Sequence, residues 1–295
     1  MRRIRELDAL RGFAVCGIML VNTWQHAPHG PHSGLDWTIE TLFQSRFYPI
    51  FSTLFGISFV LFLANANRWA LLSRLFWLLC FGLVQHTFYD GEVLTDYAVY
   101  GAAVLLPASF LTGGVPVLLL GLAVLAWSVT QGGGPLEIPG LFLIGMALMR
   151  LRPPATLLAP VAAVAALGSA VLTVFWLDSR VWAYYSVAAL AGAASYACLF
   201  LLAKPLHRWV EPLGRMALTN YVTGTAVIAL AGPWVLPVTL GTLAVQIPFS
   251  RWWLARYRYG PLEWVWRCLT WFRVVPNRLG SGRDDNRPLP DPGVT

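Results

Sequence analysis

Charge is what this chain has least of. Only 12% of its 295 residues are Asp, Glu, Lys or Arg, about half the share usual in soluble domains, which excludes an ordinary water-soluble globule. Strict alternation of apolar and polar residues is missing too, and that excludes a transmembrane β-barrel. The four cysteines, Cys16, Cys80, Cys198 and Cys268, stand far apart and supply neither a disulfide framework nor a CxxC metal motif. No G-x-S-x-G, Walker loop, G-x-G-x-x-G, H-E-x-x-H or kinase signature is found. The excess of basic over acidic residues is +7, yet the basic residues are dispersed singly, without the blocks and stacking aromatics of a nucleic-acid binder.

What is present is apolar. Hydrophobic residues make up 57% of the chain, with 14 Trp and 16 Phe, and mean hydropathy is +0.60. The apolar runs predict an all-α integral membrane bundle of about ten transmembrane helices, at roughly 10–25, 47–64, 69–88, 94–111, 115–130, 138–150, 155–177, 182–203, 217–233 and 236–254. The first run resembles a signal peptide, but Asn22-Thr-Trp-Gln-His26 offers no small-residue cleavage site, so it reads as a retained helix. Threading ten spans with the N-terminus inside puts nineteen Lys and Arg on the cytoplasmic side and leaves Arg46 and Arg180 outside. That bias predicts a multi-pass plasma-membrane protein with both termini in the cytoplasm. Residues 1–279 read as a single transmembrane domain. Within it, 256–278 reads as an interfacial amphipathic segment, where Trp264, Trp266 and Trp271 alternate with Arg267 and Arg273. Residues 280–295, rich in Gly, Asp, Asn and Pro, read as a disordered cytoplasmic tail.

A charged side chain in mid-membrane costs on the order of 2.5–3.5 kcal/mol on insertion scales, which makes intramembrane ionisable residues candidates for function. Arg11 begins the first helix with Asp8 one turn before it, a spacing that suits an i,i+3 pair as well as anion binding, and Asn22 lies near the outer end. His86, followed by Asp90, Glu92 and Asp96, has the composition of a general acid/base site or proton relay, or of a solvated acidic loop. His26, His29 and His32 have the side chains for a divalent metal, but Pro28 and Pro31 break any helix that would align them, and no metal site is expected. Lys204, His207, Arg208, Glu211 and Arg215 form an inner loop of ordinary positive-inside charge, with phosphate binding as the sharper reading. Arg46 stands at the outer mouth of the second helix, within reach of snorkelling.

Five stretches carry a family resemblance. Leu7-Asp-Ala-Leu-Arg-Gly-Phe-Ala-Val-Cys-Gly-Ile-Met-Leu-Val-Asn22 and Arg46-Phe-Tyr-Pro-Ile-Phe-Ser-Thr-Leu-Phe-Gly56 resemble the opening of YeiB-like bacterial integral membrane proteins. Gly91-Glu-Val-Leu-Thr-Asp-Tyr-Ala-Val-Tyr-Gly101, Gly214-Arg-Met-Ala-Leu-Thr-Asn-Tyr221 and Tyr259-Gly-Pro-Leu-Glu-Trp-Val-Trp-Arg267 continue the match in the same order. The chain looks short for that family, and the region from about 105 to 205 carries none of its motifs. The family is similar, at a distance, to transmembrane acyltransferases of the acyltransferase-three and heparan glucosaminide acetyltransferase types. That similarity implies transfer of an acyl group from cytoplasmic acyl-CoA, as co-substrate and not as a resident cofactor, to a hydroxyl or amine on a small-molecule or lipid-linked acceptor in or across the bilayer. It implies His86 as base with Glu92 orienting it, and Arg11 and Asn22 at the reacting carbonyl. Arg46, Asp96, Tyr97, Arg215, Asn220 and Tyr221 form the expected substrate-binding set. The acyltransferase-three group has a His where this chain has Asn22, so that group's catalytic assignment does not carry over. The lysosomal type keeps an Asn there and has its His slightly later, which makes His26, His29 or His32 counterparts. A transporter of a small polar or lipid-like metabolite is the rival expectation from another class.

Overall fold

The structure, a computed structural model, describes residues 4–27, 34–232 and 234–279. His29 and His32, Arg2 and Arg3, and the expected tail from residue 280 lie outside the described residues. Every long apolar run forms a helix, because a backbone surrounded by hydrocarbon must bond its own N–H and C=O groups within the segment. The order is α1 (Arg5–His26), α2 (Gly34–Leu42), α3 (Phe47–Leu63), α4 (Arg68–His86), α5 (Leu94–Tyr100), α6 (Leu106–Ala108), α7 (Val115–Thr130), α8 (Ile138–Leu151), α9 (Leu158–Ser179) and α10 (Trp182–Leu202). It continues with α11 (Lys204–Arg215), α12 (Ala217–Leu230), α13 (Val235–Leu254) and α14 (Pro261–Trp271). No strand occurs among the described residues, and an isolated antiparallel bridge joins Tyr257 to Arg278. Between α5 and α6 the helix widens into a π turn over Gly101–Leu105. Pro107 lacks the N–H that would have bonded back to Ala103, so the regular ladder cannot pass there.

Ten of these segments fall where the apolar runs predict them. Five, Gly34–Leu63, Arg68–His86, Gly134–Leu151, Ala155–Ser179 and Trp182–Leu202, are long and apolar enough to cross a membrane. The first of these joins α2 to α3 as one thirty-residue stretch. Residues 204–215, expected as a loop, form α11 instead. Their charges are spaced so that one face stays apolar, and Leu213 of that face is fully buried.

α1 is the central post, touching α3, α10, α11, α12 and α13. Its crossing with α11 is close. A Cβ on Gly12 would sit 2.0 Å from the Val210 carbonyl oxygen, and one on Gly214 would sit 1.8 Å from that of Asp8, so only glycine lets the two backbones meet. A second such crossing joins α3 and α8, where a Cβ on Gly56 would lie 2.1 Å from Phe142 O and one on Gly145 would lie 2.0 Å from Thr53 O. Small residues at crossings are the usual way helices pack tightly in lipid. By contrast α9 packs chiefly on α10 and turns Val164, Leu167 and Val174 outward.

Candidate functional site

The two glycine contacts between α1 and α11 decide where two arginines go. Arg11 precedes Gly12 and Arg215 follows Gly214, so the backbone crossing that needs both glycines delivers both guanidinium groups to one cavity. This basal cavity, at the end of the bundle where α1 begins, has a volume of about 420 Å³. Arg74 from α4 and Arg267 from α14 complete its basic lining, and apolar side chains of α3 and α4 form its walls. Arg11 donates to Asp8 Oδ1 at 3.0 Å and to Ser58 Oγ at 2.8 Å, so the i,i+3 pair expected from sequence exists. It orients the guanidinium and does not remove it from the cavity. Arg74 lies with its guanidinium carbon 3.6 Å from the centre of the Trp266 ring, and the Trp266 indole donates to Arg74 O at 2.9 Å. Arg267 lies 4.8 Å over Tyr259. Among the described residues neither Arg74 nor Arg267 has a hydrogen-bonded carboxylate, and the charges of Arg11 and Arg267 both act on Arg74. Glu263 is the one carboxylate among the described residues of the lining. It accepts from Thr219 N at 3.0 Å and Thr219 Oγ1 at 2.6 Å, and burial pushes its carboxyl above the usual range while those hydrogen bonds pull it back. Like-charged guanidinium groups gathered in low dielectric are a site for an anion of several charges.

A second cavity of about 290 Å³ opens at the opposite, apical end, lined by Asn22 and Gln25 of α1, Ser45 and Tyr48 before and in α3, and Asp96 of α5. Tyr48 donates its hydroxyl to Glu137. The two cavities share four lining side chains, Phe51, Leu94, Tyr97 and Tyr221, which therefore form a common wall. The wall is held from both sides. Tyr97 OH and Ser52 Oγ are 2.6 Å apart, and Val93 N donates to Tyr221 OH at 3.3 Å.

Of the residues expected from sequence, Arg11 and Arg215 line the basal cavity, Asn22 and Asp96 the apical one, and Tyr97 and Tyr221 the wall. The others are not brought together with them. His86 is exposed at the end of α4 and lines neither cavity. Glu92 accepts from Thr95 N at 3.0 Å and so caps α5. Arg46 is buried, donates to Gln44 O, and takes the space that a Cβ on Gly192 would fill. Asn220 ties α12 to α13, donating to Leu213 O and Ser250 Oγ while its carbonyl accepts from Gln246. His26 stacks on Tyr89 with ring centres 4.4 Å apart. Of the tryptophans expected at a headgroup interface, Trp266 is buried against Arg74, while Trp264 and Trp271 are half-buried and Trp264 donates to Val275 O. Arg74, Glu263, Gln25, Ser45 and Tyr48 are not marked as site residues by the sequence, and Arg267 is marked there only as part of the interfacial segment. An arginine in the second turn of a long apolar run was the available signal for Arg74, and positive-inside counting absorbed it.

Residues 146–273 match a family model described as "Protein of unknown function (DUF418)". An uncharacterized 39.9 kDa protein in the amylase 3' region of Bacillus acidopullulyticus is 31% identical across 96% of this chain and 98% of its own length. The uncharacterized protein YeiB of Escherichia coli (strain K12) is 28% identical across 92% of this chain and 97% of its own. The chain belongs to the YeiB-like family. The uncharacterized YxaH of Bacillus subtilis (strain 168), 25% identical over 93% of this chain and 96% of its own length, is a further YeiB-like relative. These alignments run over 342, 378 and 390 positions, so YeiB-like relatives carry insertions that this 295-residue chain lacks. No solved structure matches the chain.

Proposed function

We propose that this YeiB-like protein is a transmembrane acyltransferase of the plasma membrane, crossing it ten times with both termini in the cytoplasm. In this reading the phosphates of cytoplasmic acyl-CoA dock on the basal arginines, the acyl chain lies along the apolar wall of α3 and α4, and the acceptor enters from the apical side. The observation that carries the reading is the pair of cavities, one strongly basic and one weakly acidic, that meet at a single wall of four side chains. A thioester carbonyl at that wall is reached by an acceptor hydroxyl or amine from the other side. The acceptor heteroatom bonds to the carbonyl carbon, the carbon–sulfur bond breaks, and the acceptor's proton passes to the departing thiolate. Asp96, in the apical cavity, takes that proton in transit. His86 stands too far out on α4 for the role that the resemblance implies. Arg11 and the Tyr97 hydroxyl are the donors to the developing oxyanion.

The test is incubation of the protein in lipid nanodiscs with labelled acyl-CoA and a broad acceptor panel. Release of free CoA, dependent on acceptor and lost in Asp96→Asn, is expected. CoA that neither binds nor is released sinks the reading. The same wall between two cavities also favours a transporter in which Tyr97 and Tyr221 move aside, and acceptor flux across vesicles without acyl-CoA would select that reading.

A further inference from the structure

The two cavities differ in charge as well as in direction. Asp96 is the one formally charged side chain among the described residues lining the apical cavity, against four arginines and Glu263 in the basal one. The ordinary use of a carboxylate in the first turn of a helix is to meet the free N–H groups there. At α5 that task falls to Glu92, which accepts from Thr95 N, and Asp96 has no hydrogen-bond or ion-pair partner among the described residues. Asp96 is partly buried, a carboxylate drawn partly out of water with no partner is costly, and a cation would offset that cost. Around it the cavity has the surface of Phe51, Tyr48, Tyr97 and Tyr221 and the amides of Asn22 and Gln25.

We infer that the apical cavity binds an organic ammonium ion, with Asp96 as its counter-ion. Aromatic rings attract a cation through their quadrupole, the side-chain carbonyls of Asn22 and Gln25 turn their negative ends to it and accept from the N–H groups of a primary ammonium, and anions are repelled by Asp96. The volume of about 290 Å³ suits a small ligand. The inference deepens the proposed function by naming an ammonium-bearing alcohol as the acceptor class, bound through its cation and acylated at its hydroxyl. It is read from charge and lining, so its test uses no acyl donor, and failure of acyl transfer would leave the binding result untouched.

The experiment is equilibrium binding to the full chain in nanodiscs. The probes are small primary and quaternary ammonium ions, ethanolamine and choline among them, each beside its uncharged isostere, propanol and dimethylbutanol, with glycolate as the anion. At least one ammonium ion should bind about tenfold tighter than its isostere, a difference of ~1.4 kcal/mol, and glycolate should not bind. Asp96→Asn should abolish the preference and Asp96→Glu should retain it. Asn22→Asp, which adds a second carboxylate to the cavity, should raise ammonium affinity several-fold. Equal binding of ammonium and isostere throughout the panel, or a preference that survives Asp96→Asn, overturns the inference. Should Asp96→Asn fail to fold, the Asn22→Asp arm decides, and unchanged ammonium affinity there overturns it.

Discussion

Single side chains set the character of the basal cavity, and two of them make predictions of different kinds. Arg74 is both charged and stacked, with its guanidinium 3.6 Å from the Trp266 ring centre, so its planar fork is held ready for a phosphate. A hydrogen bond to a charged group contributes about 1.5–3 kcal/mol. Arg74→Ala and Arg267→Ala should each weaken CoA binding by roughly tenfold to a hundredfold in equilibrium titrations. Arg74→Lys should recover only part of that, because an ammonium keeps the charge but loses the plane that lies on Trp266. Undiminished CoA affinity in both alanine variants would remove the basal cavity from donor binding. Glu263 predicts a pH effect. Burial raises its carboxyl above the ordinary 4.5 of a glutamate, so the native state holds the proton to higher pH than the unfolded chain does. The stabilising contribution is then full at acid pH and is lost as pH rises past 4.5 through the folded value. The Tm of Glu263→Gln minus that of wild type should grow more positive as pH is raised from about 4 toward neutrality; a difference that stays flat would mean the carboxyl ionises at no cost.

Elements are placed by contacts that apolar periodicity does not record. Residues such as Gly12 and Gly214 look ordinary in a membrane sequence rich in glycine, yet they are where α1 and α11 touch backbone to backbone, and the neighbouring arginines depend on that touch. Gly214→Ala should therefore lower thermal stability, by about 1–3 kcal/mol if it behaves as ordinary overpacking, and should weaken CoA binding in the same variant. Gly168 of α9 gives the contrast, since a Cβ there meets nothing within 4 Å. Gly168→Ala should be neutral or slightly stabilising, as expected for a helical glycine without a close neighbour. If both substitutions behave alike in thermal denaturation, the glycine crossing does not hold the site together. The same logic explains α11 and α14. Their sequences carry too many charges to read as apolar runs, and they become helices because each has one face to bury, Leu213 of α11 under α1 and Trp266 of α14 against α4.

At the scale of the whole molecule, the charge bias predicts a direction across the membrane. In a cysteine-free background, a cysteine at exposed Asp178 should react with an impermeant thiol reagent on intact cells. One at exposed Arg273 should react only after the membrane is opened. The reverse pattern would turn the protein over and place the basic cavity outside, where acyl-CoA is absent. Sequence alone determined the helical class, the ten apolar helices to within a few residues and the YeiB-like family, and it singled out Arg11, Asn22, Asp96, Tyr97 and Tyr221, which line the two cavities, because backbone hydrogen bonding in hydrocarbon and the cost of buried polar atoms act locally on each segment. Which of those polar residues share a cavity was decided by tertiary structure. Arg46, Glu92 and Asn220 are as polar as the residues that line the cavities, but each is taken up by packing, a helix cap or an interhelical bond, while Arg74 and Arg267, 193 positions apart in the sequence, converge because Trp266 lies against Arg74. Cost per residue is written in composition; direction depends on which helix face meets which neighbour, and only the packed bundle fixes that.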